Sequence, residues 1–328
     1  MLQILNTLLT VVVGIAAALA LFWVLNKLAE LLPGKAEYRV KPYVFILPAF
    51  LAIIVYLVYP AVLSFIDSFK TKVNFPKESW VGFDNYVKLF TTGTFTESLL
   101  NTALWVIIVP AVSIIIGLGI AVLVDRMRPG QEKAAKTVIF LPMAISAVAA
   151  ATVWKFVYSY QPKGQDQIGL LNAVWTHWGA DPVAWLNIST LRMNSILLMI
   201  MMLWSQIGFS MVLLSSAVKA VPTETLEAAR IDGANERQIF RRVVIPQIWP
   251  TIVTVFITVT IGVMKIFDIV YVMTGGNHNT GVLGMEFFDK FTQVNYGAAS
   301  AIVVILMILI IPIMIFQVRQ FRREEAMR

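Results

Sequence analysis

Seven long runs of apolar residues most constrain what this chain can fold into. Each is about 20 residues long, which is the length that an α-helix needs to cross a hydrocarbon core about 30 Å thick. They are too long for the strands of a transmembrane barrel, in which polarity alternates over about ten residues. The predicted spans are approximately residues 5–28, 43–64, 101–124, 137–158, 194–218, 249–273 and 299–317.

Composition supports a membrane location. Of 328 residues, 58% are hydrophobic and only 14% are charged, whereas a soluble domain carries about 25% charged residues. The mean hydropathy is +0.77. One large soluble core is the alternative, but an ordinary fold of this length does not hide so much apolar surface. We therefore expect an all-α integral membrane protein with about seven transmembrane helices.

Several classes of site are excluded by residue type. The chain has no cysteine, which excludes disulfides and thiolate metal sites. Its two histidines, His177 and His278, lie in segments typical of loops and have neither metal-ligand spacing nor a catalytic partner. We expect no catalytic residue, no metal site and no cofactor bound by this chain. The net charge of +7 follows the positive-inside pattern, so we expect no nucleic-acid partner.

The first apolar run resembles a signal peptide only superficially. Residues 1–5 carry no positive charge, and the apolar run over residues 8–25 is longer than the hydrophobic region of a typical signal peptide. No small-residue cleavage site follows it. We expect this run to be a retained span.

The distribution of Lys and Arg predicts the orientation. Alternate connections form two classes, one of which holds 17 of these residues and the other 7. Cytoplasmic connections carry the excess of positive charge. This places the N-terminus outside and the C-terminus in the cytoplasm.

The connection between the fifth and sixth spans, residues 220–246, has distinctive turn chemistry. Pro222 and Thr223 suit the start of a helix, and Glu224 and Glu227 lie near its positive end. Gly233 suits the left-handed residue that ends a helix. The pattern predicts a short helix on the cytoplasmic face.

A second short helix is predicted after that turn. Asn235 is placed to cap it, it extends through Arg242, and Pro246 breaks the chain ahead of the next span. The small side chains of Ala228 and Ala229 would allow another protein to approach closely. An ordinary surface hairpin is the alternative from these residues alone.

This segment resembles the EAA loop of binding-protein-dependent ATP-binding-cassette (ABC) importer permeases. The resemblance lies in Glu227-Ala228-Ala229, three residues, Gly233, nine residues and then Val243-Val244-Ile245-Pro246. The family pattern ends in Ile-x-Leu-Pro, so Val243 and Ile245 are conservative departures. In that family the loop forms the coupling helix that docks in a cleft of the ATPase. The resemblance implies a polar contact of Glu227 with the ATPase and a shaping turn at Gly233.

Weaker motifs are similar to those of the carbohydrate permeases, a group that includes the maltose permease. The resemblance implies sugar import, with an α-glucoside or related oligosaccharide as cargo. The large outer domain of the maltose permease is absent here. The motifs are Trp80-Val81-Gly82-Phe83-Asp84-Asn85-Tyr86, Phe140-Leu141-Pro142, Gly169-Leu170-Leu171-Asn172 and residues 267–276.

The resemblance implies a division of the chain and a set of partners. Residues 1–40 would be an extra N-terminal helix and cytoplasmic linker, and residues 41–328 a six-helix permease core with its coupling loop at about 220–246. The implied partners are a second homologous permease, an ATPase dimer, an extracytoplasmic solute-binding protein and a sugar. The expected location is the cytoplasmic (inner) membrane of a bacterium or archaeon.

Polar side chains at membrane depth are costly and commonly face a cavity or a partner. Lys265 and Asp268, three residues apart, are predicted to share one helical face. One interpretation is a sugar pathway formed by these residues and the fifth span. The other is an ion pair between Lys265 and Asp268, with the rest acting in packing. The fifth-span candidates are Trp204, Ser205, Gln206 and Phe209.

No phosphate-binding G-x-x-x-x-G-K-[ST] motif occurs, so ATP and Mg²⁺ are expected on a separate ATPase. An ion-coupled secondary transporter is a second hypothesis, but it requires inverted repeats that are not visible here. An intramembrane enzyme is a third, but it lacks a catalytic constellation.

Overall fold

The computed structural model describes residues 2–31, 33–71 and 79–326. The chain divides into two compact units, Met1–Ile66 and Asp67–Arg328. Among the described residues, six helices are long and apolar enough to cross a membrane, or seven if a bent pair counts as one span. The predicted all-helical membrane fold is confirmed.

The first unit is built from apolar helices. Helix α1 covers Leu2–Glu30 and α2 covers Gly34–Ile53, so α2 runs through residue 40, where the sequence places the end of the N-terminal segment. The rings of Phe22 and Phe45 stack at 6.0 Å between these helices. A π-helical turn, Ile54–Val58, leads into α3, Tyr59–Asp67. The apolar side chains of this unit are almost all exposed, as expected for a surface that faces lipid.

The second unit consists of helices and one short strand pair. The strands are antiparallel, with Lys70 opposite Trp80. The elements are β1 (Lys70–Thr71), β2 (Ser79–Trp80), α4 (Asp84–Thr91), α5 (Gly93–Asp125), α6 (Pro129–Phe140), α7 (Ala147–Val157), α8 (Leu170–His177), α9 (Met193–Lys219), α10 (Thr223–Ile231), α11 (Glu236–Ile239), α12 (Ile245–Met264), α13 (Asp268–Met273), α14 (Leu283–Thr292) and α15 (Tyr296–Ala326).

Helices α5 and α9 form the centre of this unit. A Cβ added at Gly117 of α5 would lie 2.8 Å from the Cβ of Ser210, so the two helices approach closely at this point. The hydroxyl of Ser210 donates to that of Ser113 at 3.3 Å. Helix α12 packs beside them, and Trp105, Met211 and Val255 are fully buried in the shared core. Small residues at helix contacts are typical of membrane bundles, because lipid tails provide no hydrophobic drive between helices.

The predicted fourth span, residues 137–158, is not a continuous helix. Helix α6 begins earlier, at Pro129, and a 3₁₀ turn over Leu141–Ala144 separates it from α7. The two helices are bent by 100°. Pro142 cannot donate a helical hydrogen bond, and Ser146 starts α7 by accepting a bond from the amide of Ala149 at 3.3 Å. The span predicted here is therefore bent, which the apolar run alone did not predict.

The predicted sixth span, residues 249–273, is also interrupted. Helix α12 ends at Met264, and α13 begins at Asp268. Gly284 lies against this break, where a Cβ would be 2.6 Å from the carbonyl oxygen of Ile266. The prediction that Lys265 and Asp268 share one helical face is wrong, because they lie on opposite sides of a break. Within the part of the chain that the structure describes, no ion pair joins them.

The outer segment after β2 explains part of the Trp80–Tyr86 motif. Gly82 has φ +57°, a left-handed conformation that favours glycine. The side-chain amide of Asn85 then donates to the carbonyls of Ser68 at 2.8 Å and Lys70 at 3.0 Å. The motif therefore fixes the start of α4 against the strand pair.

We predict that Gly117→Ala lowers the thermal stability of the purified protein. The added methyl would collide with Ser210 and with the amide nitrogen of Met211 at 2.9 Å, and overpacking of this kind costs about 1–3 kcal/mol. Gly119→Ala is the matched control, because nothing lies within 4 Å of its added Cβ. Equal melting temperatures for the two variants would contradict the close contact.

Candidate functional site

The loop between α9 and α12, which the charge distribution predicts to be cytoplasmic, contains the predicted short helix. Helix α10, Thr223–Ile231, begins directly after Pro222 and carries Glu224 in its first turn. The negative side chain is favourable there because the first turn exposes unpaired backbone N–H groups. The predicted start of this helix is confirmed.

Gly233 ends α10 as predicted. Its φ is +82°, a conformation that costs other residues about 1 kcal/mol or more. The amide of Ala234 donates to the carbonyl of Ala229 at 3.0 Å, and the amide of Gly233 donates to that of Arg230 at 3.0 Å. This pair of bonds is the Schellman motif, which satisfies the last carbonyls of a helix.

A second short helix follows, and its end differs from the prediction. Asn235 accepts from the amide of Gln238 at 3.0 Å, and Gln238 accepts from the amide of Asn235 at 2.9 Å. This capping box confirms the predicted cap. However, the helix does not end at Arg242, because α11, Glu236–Ile239, continues through a π-helical turn, Phe240–Val244, into α12.

Pro246 does not break the chain, contrary to the prediction. Residues from Glu236 to Met264 form one continuous helical run, in which Pro246 lies in the first turn of α12. A proline inside a helix removes one hydrogen bond and crowds the carbonyl four residues earlier. The π-helical turn over Phe240–Val244 widens the helix at that carbonyl, so the chain continues into the span.

An ion pair fixes the angle between the two short helices. The Nε of Arg230 donates to a carboxylate oxygen of Glu236 at 2.9 Å. This bond holds the pKa of Glu236 below its usual value and raises the pKa of Arg230. Both side chains are largely exposed, so the pair orients the loop more than it stabilises the fold.

The loop has an apolar base and a polar outer face. Its base is a buried cluster of Val221, Ile239, Val244 and Ile248, against which Ala229 packs. The outer face consists of exposed residues, including Glu227, Ala228 and Ile231, of which Ile231 is 86% exposed. Among the described residues, no hydrogen bond or ion pair occupies the carboxylate of Glu227. The face is therefore accessible to a partner protein.

A charged cluster that the sequence did not reveal anchors the start of this loop. The ammonium of Lys219, the last residue of α9, lies 2.5 Å from Glu132 of α6 and 3.5 Å from Asp125 of α5. Lys136 lies 2.6 Å from the same oxygen of Glu132. The hydrogen bonds from Lys136 and Lys219 hold the pKa of Glu132 below its usual value. Three helices are thereby joined at the cytoplasmic side.

The predicted pathway residues of α9 are half-buried. Ser205 donates to the carbonyl of Met202 at 2.9 Å, and the ring of Trp204 meets that of Trp154 edge-on at 5.9 Å. Gln206 and Phe209 lie on the same helix with similar burial. Lys265 and Asp268 are exposed on either side of the break between α12 and α13.

The loop that joins α13 to α14 is held by polar side chains that the sequence analysis did not single out. The amide of Asn101 donates to the carbonyls of Asn279 and Gly281, both at 2.7 Å. The amide of Asn194 donates to the carbonyl of His278 at 2.7 Å. Arg192 bonds Asn101, and its guanidinium also lies 2.8 Å from a carboxylate oxygen of Glu97. The sequence signal for these contacts is a polar residue at the first position of a predicted span, as at Asn101 and Asn194.

The chain matches a known family of membrane proteins. The family described as the inner membrane component of binding-protein-dependent transport systems matches residues 113–325. The chain belongs to this family. It is a multi-pass membrane permease, and the predicted membership in the ABC importer permeases is confirmed.

Individual relatives agree with this assignment. The chain is 42% identical over 339 residues to the alpha-glucoside transport system permease protein AglF of Rhizobium meliloti (strain 1021), with 99% of each chain covered. It is 45% identical over 289 residues to the osmoprotective compounds uptake permease protein GgtC of Synechocystis sp., covering 87% of this chain and 100% of that one. A crystal structure of a bacterial alginate ABC transporter in complex with alginate pentasaccharide-bound periplasmic protein has a chain of the same fold. That chain is 20% identical with a TM-score of 0.74, over 87% of this chain and 96% of its own length.

Proposed function

We propose that this chain is a membrane-spanning subunit through which an ABC importer takes up a di- or oligosaccharide, and that the substrate is an α-glucoside. The observation that carries the proposal is the 42% identity to AglF over 99% of both chains. The sugar-permease motifs at residues 80–86 and 267–276 support the carbohydrate class.

Four kinds of partner complete the proposed transporter. They are a second homologous permease, an ATPase dimer that binds ATP and Mg²⁺, an extracytoplasmic binding protein that delivers the sugar, and the lipid of a cytoplasmic membrane. This chain lacks a phosphate-binding loop, so hydrolysis takes place on the ATPase. Closure of the ATPase dimer on ATP displaces α10, and the two permeases rock between inward-facing and outward-facing states.

The sugar pathway is proposed to use the exposed and half-buried polar and aromatic groups at membrane depth. Gln206 bonds hydroxyl groups, and Trp204 or Phe209 offers a ring face, with Ser205 beside them. Lys265 and Asp268 lie on opposite sides of the break between α12 and α13, so each contacts the sugar from a different position.

Substrate uptake tests the proposal directly. The transporter assembled with its own binding protein and ATPase, in proteoliposomes with ATP, should accumulate sucrose, trehalose or maltose. Accumulation should stop when ATP or the binding protein is omitted. Uptake that persists without both would instead indicate a secondary transporter, and no uptake of any α-glucoside would overturn the proposed substrate.

Charge reversal tests the role of Glu227. Glu227→Lys should reduce co-purification of the ATPase and the stimulation of its activity by loaded binding protein, because an exposed carboxylate with no partner among the described residues is lost from the docking face. Glu224→Lys applies the same charge change one turn earlier in α10. Wild-type behaviour of Glu227→Lys, or equal losses in both variants, would contradict a specific contact at Glu227.

The proposed orientation places the α10 loop in the cytoplasm, since the connections of its class hold 17 Lys and Arg residues against 7 in the other. The chain has no cysteine, which makes single introduced cysteines informative. Trp178 is 84% exposed and Ile231 is 86% exposed. In intact cells, a membrane-impermeant thiol reagent should label Trp178→Cys and spare Ile231→Cys. The reverse result would invert the topology.

A further inference from the structure

A cavity at the outer end of α7 has no role in the function proposed so far. Its volume is about 330 Å³, which is within the range of small-molecule sites. Helix α7, the segment between α8 and α9, and the loop after α13 supply its walls. Its lining includes Lys155, Tyr158, Tyr160, Trp185, Asn187 and His278.

Trp185 is held in this wall by a buried amide. Asn172 is fully buried, and its Oδ1 accepts from the indole N–H of Trp185 at 2.9 Å and from the amide of Val183 at 2.9 Å. The Nδ2 of Asn172 donates to the carbonyls of Val183 at 2.9 Å and Ser159 at 3.0 Å. Trp175 packs edge-on against Trp185 at 5.4 Å. The indole is thus fixed before any ligand arrives, with its N–H already used.

A fixed indole whose N–H is satisfied offers a ligand mainly its apolar face. The C–H groups on one side of a pyranose ring pack on such a face, while the hydroxyls at the ring edge need hydrogen-bond partners. Around Trp185, the side chains of Tyr160 and His278 form no hydrogen bond among the described residues, and Lys155 donates one to the carbonyl of Val272 at 3.3 Å. These groups can bond several hydroxyls.

The charge of the cavity favours a neutral ligand. Its lining contains no carboxylate, and the ammonium of Lys155 is its one permanently charged group. A cationic ligand would lie beside this ammonium without an opposite charge. A neutral polyhydroxylated molecule is compatible with every lining group.

An aromatic series connects the cavity with the proposed pathway. Tyr158, which lines the cavity, contacts Trp154 at 5.4 Å between ring centroids. Trp154 in turn contacts Trp204 of α9 at 5.9 Å. Two ring contacts therefore connect a residue of the cavity lining with Trp204, which is proposed to contact the sugar.

We propose that this cavity is an outer sugar-binding site, in which Trp185 packs against a pyranose ring and Tyr160, His278 and Lys155 bond its hydroxyls before the sugar passes to α9. The inference rests on the proposed uptake of an α-glucoside, and it adds a site that is separate from the pathway residues of α9.

Cysteine protection tests this site without requiring transport. Asn187 is exposed, and in the cysteine-free chain Asn187→Cys gives one thiol in the cavity. The transporter assembled with the second permease and the ATPase is treated with a maleimide, with increasing sucrose, trehalose or maltose. At about four times the Kd, only about a fifth of the sites are free, so labelling should slow about fivefold. The effect should saturate, and sorbitol should give none.

Three further variants separate binding from general effects. Ser189→Cys is exposed two residues away and outside the cavity lining, so its labelling rate should not change with sugar. In the Asn187→Cys background, Trp185→Leu should abolish protection, whereas Trp185→Phe should retain most of it. Both substitutions lose the bond to Asn172, so the contrast isolates the aromatic face.

The outcomes that overturn the site are distinct from those that overturn the substrate. No labelling of Asn187→Cys without sugar, no protection by any of the three sugars, equal protection by sorbitol, or equal protection of Ser189→Cys would each reject the site. Equal protection in the Leu and Phe variants would reject the role of Trp185. Uptake by the wild-type transporter is measured separately and tests the substrate class alone.

Discussion

A backbone amide or carbonyl left unpaired in a hydrocarbon core costs several kcal/mol, so a chain this apolar must satisfy its hydrogen bonds within its own helices. Continuous helices such as α5 and α9 meet this requirement because their backbone groups pair with one another along the helix. Interrupted helices need other partners at their breaks. The hydroxyl of Ser146 accepts at the start of α7, and the ammonium of Lys155 donates to the carbonyl of Val272 near the end of α13. At these two helix ends, a side chain supplies a partner that the helix itself does not provide.

The same requirement explains which parts of the fold could be predicted from the sequence. Cap chemistry is local, so Pro222, Gly233 and Asn235 predicted the short helices of the cytoplasmic loop closely. Hydropathy is averaged over a window, so it located the spans but could not detect a break inside an apolar run. Pro142 and the segment around Lys265 were both hidden in this way. The site shows the same division, since the bonds that fix the outer loop join residues about 180 positions apart, as from Asn101 to Gly281.

Helix α9 connects the loop that contains α10 to the loop that joins α13 to α14. At its C-terminal end, Lys219 bonds Glu132, and Val221 lies buried in the apolar base of the α10 loop. At its N-terminal end, the side-chain amide of Asn194 donates to the carbonyl of His278. Along its length, α5 approaches so closely at Gly117 that a methyl group would not fit. The helix is therefore packed at both ends and at its middle.

This packing determines how a displacement of α10 is accommodated. If α10 moved alone, Leu226 and Ala229 would lose their contacts with the buried cluster that contains Val221, Ile239 and Ile248. Exposing a leucine side chain costs about 1.5–3 kcal/mol. That cluster joins the chain just after the end of α9 to the start of α12, so the movement of lowest cost is one in which α10, Val221 and residues 239–248 move together. A displacement of α10 would therefore be shared with the ends of α9 and α12 at this loop.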